Sequence, residues 1–197
     1  MKFIGIAGGS GVGKSTLCYG LVDAEPEVFE VLNLDDYQYR KDVPNLPVIH
    51  GQINWDHPDI IRWSDLMADL NKLRSGKSIT IDVWSHRSNS NYFKHGQMIS
   101  RTLQPRPIVL IEGYLALYNS KLNEQYARKY YIDLNEATRA GRRKDKVIYE
   151  DDIVIPMHNK YVEPTKKNAD IIFNVGQMSI KEVQRKVKED IIAAFLL

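Results

Sequence analysis

The sequence has little of what marks several common protein classes. One cysteine, Cys18, stands among 197 residues. A single thiol excludes an internal disulfide and a cysteine-rich zinc site, and it suits a reducing compartment. No run approaches the roughly 20 apolar residues of a membrane span. The apolar run Phe3-Ile4-Gly5-Ile6-Ala7 is too short for a signal peptide and reads as a strand. Charge of one sign is not in excess: 27 Lys and Arg face 25 Asp and Glu, a net charge of +2. That balance argues against nucleic acid or a membrane surface as partner, so any anion site must come from local clustering. Internal repeats and linker-like stretches are absent. With 43% hydrophobic residues, 12 Gly and 8 Pro, the composition is that of a globular chain. A single cytoplasmic domain over residues 1–197 is expected. The sequence leaves homo-oligomerisation open.

What is present alternates between two patterns. Short runs rich in Val, Ile and Leu lie at 3–7, 28–34, 108–111, 130–134 and 171–175. They do not alternate apolar with polar, as befits strands buried on both faces. Helical runs separate them. Residues 14–24 form one and residues 59–74 another, with apolar positions at Ile60, Trp63, Leu66, Met67, Leu70 and Leu73. A last helix opens on the capping-box pair Ser179 and Glu182, with its stripe at Ile180, Val183, Val187, Ile191 and Ala194. This order predicts an α/β three-layer sandwich: a mostly parallel sheet with helices on both faces. Two segments break the rhythm. Residues 78–83 and 92–103 flank a polar turn and read as a hairpin insertion over about 78–103, suited to covering a substrate. A basic run, Arg139, Arg142, Arg143, Lys144 and Lys146, reads as a lid over about 136–150. If it is helical, Arg139, Arg142, Arg143 and Lys146 share a face. A solvated helix face is the plainer alternative.

The chemistry starts at Gly8-Gly9-Ser10-Gly11-Val12-Gly13-Lys14-Ser15, which fits G-x-x-x-x-G-K-[ST] between a buried strand and a helix. Glycines let backbone N–H groups converge on phosphate oxygens, and the helix N-terminus adds partial positive charge. Lys14 suits the β- and γ-phosphates and the Ser15 hydroxyl suits Mg²⁺. Gly8 to Ser15, with Thr16 behind it, form the expected nucleotide-binding set. A chance match in a chain of this glycine content is about one in a hundred. The loop does not say whether water or a bound hydroxyl attacks the γ-phosphate. No Asn-Lys-x-Asp, no Asp-x-x-Gly and no Leu-Ser-Gly-Gly-Gln occurs, and these absences favour a small-molecule kinase over a switch or a transporter ATPase.

Acidic residues stand where such a kinase needs them. The second strand runs into Leu34-Asp35-Asp36-Tyr37, beside the phosphate loop in a parallel sheet. A carboxylate there can take the proton of an attacking hydroxyl and help hold Mg²⁺. Asp35, first after the strand, is preferred over Asp36. Val109-Leu110-Ile111-Glu112 ends a buried strand in an acid, which places Glu112 on Mg²⁺ or its waters. In Asn54-Trp55-Asp56-His57-Pro58-Asp59, Asp56 or His57 can cap the next helix, with Pro58 in its first turn. Asp56 can also bind a sugar diol.

These segments together resemble the uridine kinase family of P-loop kinases, with phosphoribulokinase and nicotinamide riboside kinase as relatives. Asp35-Asp36-Tyr37 is similar to the family's catalytic Asp segment, and Asn54-Trp55-Asp56-His57-Pro58-Asp59 to its Asn-Phe-Asp-His-Pro-Asp stretch. Asp82-Val83-Trp84-Ser85-His86 resembles its Asp-x-x-x-His hairpin, and Glu112-Gly113-Tyr114-Leu115-Ala116 its Glu-Gly-Ile-Leu-Ala. Thr138-Arg139 with Arg142-Arg143 resembles its arginine lid. Pro164-Thr165-Lys166-Lys167-Asn168-Ala169-Asp170 is similar to the stretch before its last core strand. The resemblance spans nearly the whole chain. It implies MgATP-dependent transfer to the 5′-hydroxyl of uridine or cytidine, with ATP and Mg²⁺ as cofactors. It makes Asp35 the base, gives ribose to Asp56 beside Trp55, and turns His86 to the pyrimidine. It assigns Arg139 and Arg142 to the lid; Tyr39 is counted with the acceptor-binding residues. The chain departs from the pattern at Ile81, where Tyr is frequent, at Trp55 for Phe, and at Val147-Ile148-Tyr149-Glu150 after the lid. Another acceptor of the same family, of nicotinamide-riboside or pantothenate type, is the first alternative. A non-catalytic ATP-binding module is the second, and the presence of both Asp35 and Glu112 counts against it.

Overall fold

The computed structural model describes residues 1–84, 89, 95–142 and 150–195. His86 and most of the polar turn, and Arg143, Lys144 and Lys146 of the basic run, lie outside the described residues. The strands among the described residues are β1 (Lys2–Gly8), β2 (Phe29–Asn33), β3 (Val48–Ile49), β4 (Gln52–Ile53), β5 (Ile79–Val83), β6 (Ile99–Leu103), β7 (Ile108–Glu112), β8 (Tyr126–Asp133) and β9 (Ile171–Asn174). Five of them form one sheet in the order β2-β7-β1-β8-β9, every pair parallel. The remaining pairs, β3 with β4 and β5 with β6, are antiparallel.

The period-two geometry of a strand turns alternate residues to opposite faces. Phe3, Leu32, Val109, Ile111 and Tyr131 pack on one side with Leu66, Leu70 and Leu73 of helix α2 (Trp63–Arg74) and with Ile79 and Leu103 of the hairpin. Ile4, Ile6, Val31, Leu110, Tyr130 and Ile132 pack on the other side. There they meet Leu17, Cys18 and Leu21 of helix α1 (Lys14–Ala24) and Val183, Val187 and Ile191 of the last helix, Ile180–Phe195. The expected sandwich is therefore present. Cys18 is a buried core residue, its thiol pushed up chiefly by burial, which keeps it unreactive. No described helix is long and apolar enough to cross a membrane.

Local expectations hold where local forces decide. The last helix opens on a reciprocal capping box, with Glu182 N–H donating to Ser179 Oγ at 3.2 Å and Ser179 N–H to Glu182 Oε2 at 3.2 Å. Its expected stripe ends a turn early, because Ala194 is exposed. The helix expected over 59–74 is split. His57 Nδ1 accepts from Asp59 N–H at 3.2 Å and caps a short 3-10 turn, Pro58–Ile60. Ile61 is then drawn into extended geometry by a bridge to Gln38, and α2 starts only at Trp63. The hairpin β5–β6 is tied to the sheet edge. Arg101 Nη2 pairs with Glu30 Oε1 at 2.6 Å, and Gln104 N–H donates to Glu30 Oε2 at 3.1 Å.

Candidate active site

Strand order builds the site. Because β7 lies between β1 and β2, Glu112 is opposite both Ile6 and Asn33. The carboxyl ends of these strands therefore deliver the phosphate loop, Asp35 and Glu112 to one crevice, as open parallel sheets do. Gly8, Gly11 and Gly13 have φ of 147°, 83° and 97°, which side chains rarely adopt. Gly13 caps α1 with no side-chain hydrogen bond, so the first N–H groups of the helix keep their donors for a ligand. Val12 is buried beneath the loop, so its side chain anchors the loop and only its N–H is available to a phosphate. Thr16 is exposed, and its carbonyl accepts from Gln184 Nε2 at 2.9 Å.

Lys14 Nζ donates to Gly9 O at 3.1 Å. Ser15 Oγ donates to Glu112 Oε1 at 2.8 Å. Glu112 is buried, and its carboxyl is pushed up to about 7. Burial is the main cause, Asp35 and Asp36 add to it, and Lys14 and the Ser15 hydroxyl oppose it. Burial also raises the Asp35 carboxyl, against the pull of Lys14. Asp35 and Asp36 part ways here. Asp36 turns to the hairpin, where its Oδ1 accepts from Trp84 N–H at 2.8 Å. Asp35 is pinned through its backbone, N–H to Asn33 Oδ1 at 3.0 Å and O from Trp84 Nε1 at 2.8 Å. Its side chain is left within electrostatic reach of Lys14 and Glu112.

The short helix Glu136–Arg142 lies over the loop. Arg139 is 3% exposed, so the solvated-face alternative fails for this residue. Gly9 is a glycine because of it: a Cβ there would come within 1.9 Å of Arg139 Nη1. Arg139 Nη2 pairs with Glu136, Nη1 meets His158 Nδ1 at 3.2 Å, and Nε is buried with no hydrogen-bond partner among the described residues. Arg142 is exposed, with Nη1 donating to Gly11 O at 3.4 Å.

Asp56 sits in a turn made by its N–H donating to Asn54 Oδ1 at 3.1 Å. Asn54 Nδ2 in turn reaches Met157 Sδ at 3.2 Å, and Trp55 O accepts from Gln38 Nε2 at 3.4 Å. The capping expected of Asp56 or His57 belongs to His57. Tyr39 lines a cavity of about 570 Å³ with Arg40, Ile81, Asp82 and Met98. That cavity reaches Asp36 but includes neither the phosphate loop nor Asp56. Sequence reading missed Glu136 and His158. Glu136 had a legible signal, its (i, i+3) spacing from Arg139. His158 had none.

The residues fit a magnesium nucleotide. A left-handed glycine loop and a helix N-terminus offer donors to phosphate, and Arg139 adds its charge beside Gly9. Ser15 Oγ and the Glu112 carboxylate are hard oxygen donors of the kind Mg²⁺ takes, in small number, beside phosphate and water. No cluster of three or more His, Cys, Asp or Glu forms a metal cage among the described residues.

Glu112 also carries a stability cost that can be measured. Its folded pKa lies above the ordinary glutamate value, so stability falls as pH rises from about 4.5 towards 7. Glu112→Gln is therefore expected to raise Tm by roughly 5 °C at pH 8, where the native carboxyl is ionised, and to change it little at pH 5. Calorimetry at both pH values checks this.

Comparison with known proteins identifies the family. Residues 3–181 match the phosphoribulokinase / uridine kinase family. The chain is 31% identical over 186 residues to a uridine kinase of Chloroflexus aurantiacus, covering 88% of this chain and 86% of the relative. It is 32% identical over 188 residues to one of Lactobacillus helveticus, covering 88% and 86%. Among solved structures, a possible uridine kinase from Bacillus stearothermophilus aligns with TM-score 0.62 at 18% identity over 87% of this chain and 88% of that one. A shikimate kinase from Bacteroides thetaiotaomicron aligns with TM-score 0.55 at 13% identity over 96% and 98%. A P-loop kinase fold with these relatives places the chain in the phosphoribulokinase / uridine kinase family, as a phosphotransferase acting on an alcohol group.

Proposed function

We propose that this protein is an ATP-dependent kinase that phosphorylates the 5′-hydroxyl of a pyrimidine nucleoside, uridine or cytidine. The observation that carries the reading is the crevice where Lys14, the Ser15–Glu112 pair, Asp35 and Arg139 border one phosphate loop. The N–H groups of Gly8 to Thr16 hold the phosphates, and Lys14 draws charge from the β- and γ-oxygens. Ser15, Glu112 and, through its reach, Asp35 would hold Mg²⁺, which neutralises phosphate charge when bound. Asp35 accepts the proton of the acceptor hydroxyl. That oxygen bonds to the γ-phosphorus as its bond to the bridging oxygen of ADP breaks. Arg139 and Arg142 meet the charge of the moving phosphoryl group. Asp56 and Trp55 take the ribose side of the acceptor, Tyr39 its approach, and His86 its base. On this reading residues 1–197 are one kinase domain, with a hairpin over about 78–103 and a lid over about 136–150.

The direct test is Mg²⁺-dependent ADP release from ATP with and without uridine. Uridine-dependent release supports the reading. Release stimulated only by another acceptor moves the specificity within the family, and Ile81 on the cavity wall beside Tyr39 favours that second reading. Uridine-independent hydrolysis alone overturns both. Asp56→Ala is expected to raise the acceptor KM by about 10- to 100-fold, the worth of a hydrogen bond to a charged group, with Tm unchanged. Steady-state kinetics beside thermal melts separate this from a purely structural role.

A further inference from the structure

We propose that His158 is a positioning residue: its ring holds the Arg139 guanidinium over Gly9 of the phosphate loop, from a segment that also grips the acceptor loop. The proposal rests on the phosphoryl-transfer reading for its consequence, though not for its geometry.

A buried guanidinium needs more than one partner to stay in place. Arg139 has Glu136 on Nη2 and His158 Nδ1 on Nη1. Glu136 lies one turn back on the same helix, so that pair alone moves with the helix and leaves the guanidinium a pivot. His158 comes from a different element and supplies the second point. Both side chains of this contact are dry: Arg139 is 3% and His158 4% exposed.

The chemistry of the contact is one-directional. Arginine only donates, so Nδ1 of His158 accepts and the ring proton sits on Nε2. Nε2 faces Glu163 Oε2 at 3.5 Å. Burial first, and the Arg139 charge second, push the His158 pKa down to about 4, against the opposing pull of Glu163 and Glu136. The imidazole is thus the neutral acceptor that Arg139 requires across the working pH range. Glu163 is itself fixed. It accepts from Tyr131 Oη at 3.2 Å and from Lys166 Nζ at 3.3 Å, and Lys166 also reaches Asp133 at 2.8 Å. The sheet strand β8 therefore stands behind the ring. Tyr114 closes another side, its ring centroid 6.4 Å away.

The same stretch of chain meets the acceptor loop twice. Met157 Sδ accepts from Asn54 Nδ2 at 3.2 Å, and Tyr161 Oη lies 3.1 Å from His57 Nε2. Asp56 lies between those two contacts. The residue that places the arginine and the residues that place the acceptor loop therefore share one short support.

Two arms test this. In the first, nitrogen chemical shifts of His158 are followed from pH 4 to 8 in the wild type and in Arg139→Gln. A wild-type ring that is neutral, with its proton on Nε2, at and above pH 6 and begins to protonate only towards pH 4, with a raised pKa in the variant, supports the contact. A wild-type ring titrating near 6.5, unchanged in the variant, overturns it. In the second arm, His158→Leu and His158→Asn are compared, since an Asn Oδ1 can stand where Nδ1 stands. His158→Leu is expected to lower kcat by about 10- to 100-fold with the KM for ATP held within a few-fold, and His158→Asn to restore most of it. Wild-type kcat in His158→Leu, or equal loss of kcat and Tm in both variants, overturns the positioning role. If the wild type phosphorylates no acceptor, the kinase reading fails, and the first arm still decides the contact.

Discussion

Lys14→Ala is expected to reduce phosphoryl transfer by about 10³-fold or more, the scale lost when a preorganised cation is removed from developing charge. Transfer within tenfold of wild type would reject the phosphate-loop reading. The structure adds a second consequence. Lys14 is the cation that lowers the pKa of both Glu112 and Asp35 against the effect of burial. Without it, the folded pKa of Glu112 moves further above about 7, and the pH window in which ionisation costs stability widens upward. Lys14→Ala should therefore lose more Tm at pH 8 than at pH 5, where the Glu112 carboxyl holds its proton. Adding Glu112→Gln should return the Tm at pH 8 and leave transfer absent. That double-variant cycle separates the electrostatic debt of the crevice from its catalytic use.

Asp35→Asn is expected to lower kcat by about 10²–10⁴-fold with the KM for ATP little changed, if Asp35 takes the acceptor proton. The substitution is nearly isosteric, and both backbone bonds of residue 35, to Asn33 Oδ1 and from Trp84 Nε1, survive it. Loss of rate then reports the carboxylate and not the fold. The pH profile gives an independent reading. A base works deprotonated, so kcat should rise with pH through the Asp35 pKa, and burial sets that limb above the ordinary aspartate range. Asp35→Asn should remove the limb. Asp36→Asn keeps an acceptor oxygen for Trp84 N–H and should leave kcat near wild type. The opposite pattern, with Asp36→Asn inactive and Asp35→Asn active, would hand the role to Asp36.

Much of the fold was readable from local pattern. Helix α1 occupies the expected residues, and the five sheet strands begin and end within a few residues of their apolar runs. Ser179 and Glu182 cap the last helix as their spacing requires. Such features depend on residues near in sequence: strand burial on the run of Val, Ile and Leu, the glycine loop on backbone sterics, the cap on a three-residue interval. Where a distant residue intervenes, local reading stops short. The pattern over 59–74 is helical throughout, yet Gln38 draws Ile61 out of the helix. For the basic run the sequence leaves both a lid and a solvated face open, and only packing shows that its first arginine is buried against the phosphate loop.

For function, the phosphate-loop motif, the carboxylates after the strand-like runs and the order in which they occur are legible without the fold. Each is a residue type at a fixed interval from a strand or helix. Tertiary structure decided which of these meet. It seats β7 between β1 and β2 and so brings Glu112 onto Ser15. It turns Asp36 to the hairpin and leaves Asp35 to the crevice. It also sets His158 against Arg139, a contact between side chains of separate elements. Pairings of this kind form only when strands and helices from distant parts of the chain pack together, and burial gives them their strength by removing the water that would otherwise compete for every charge.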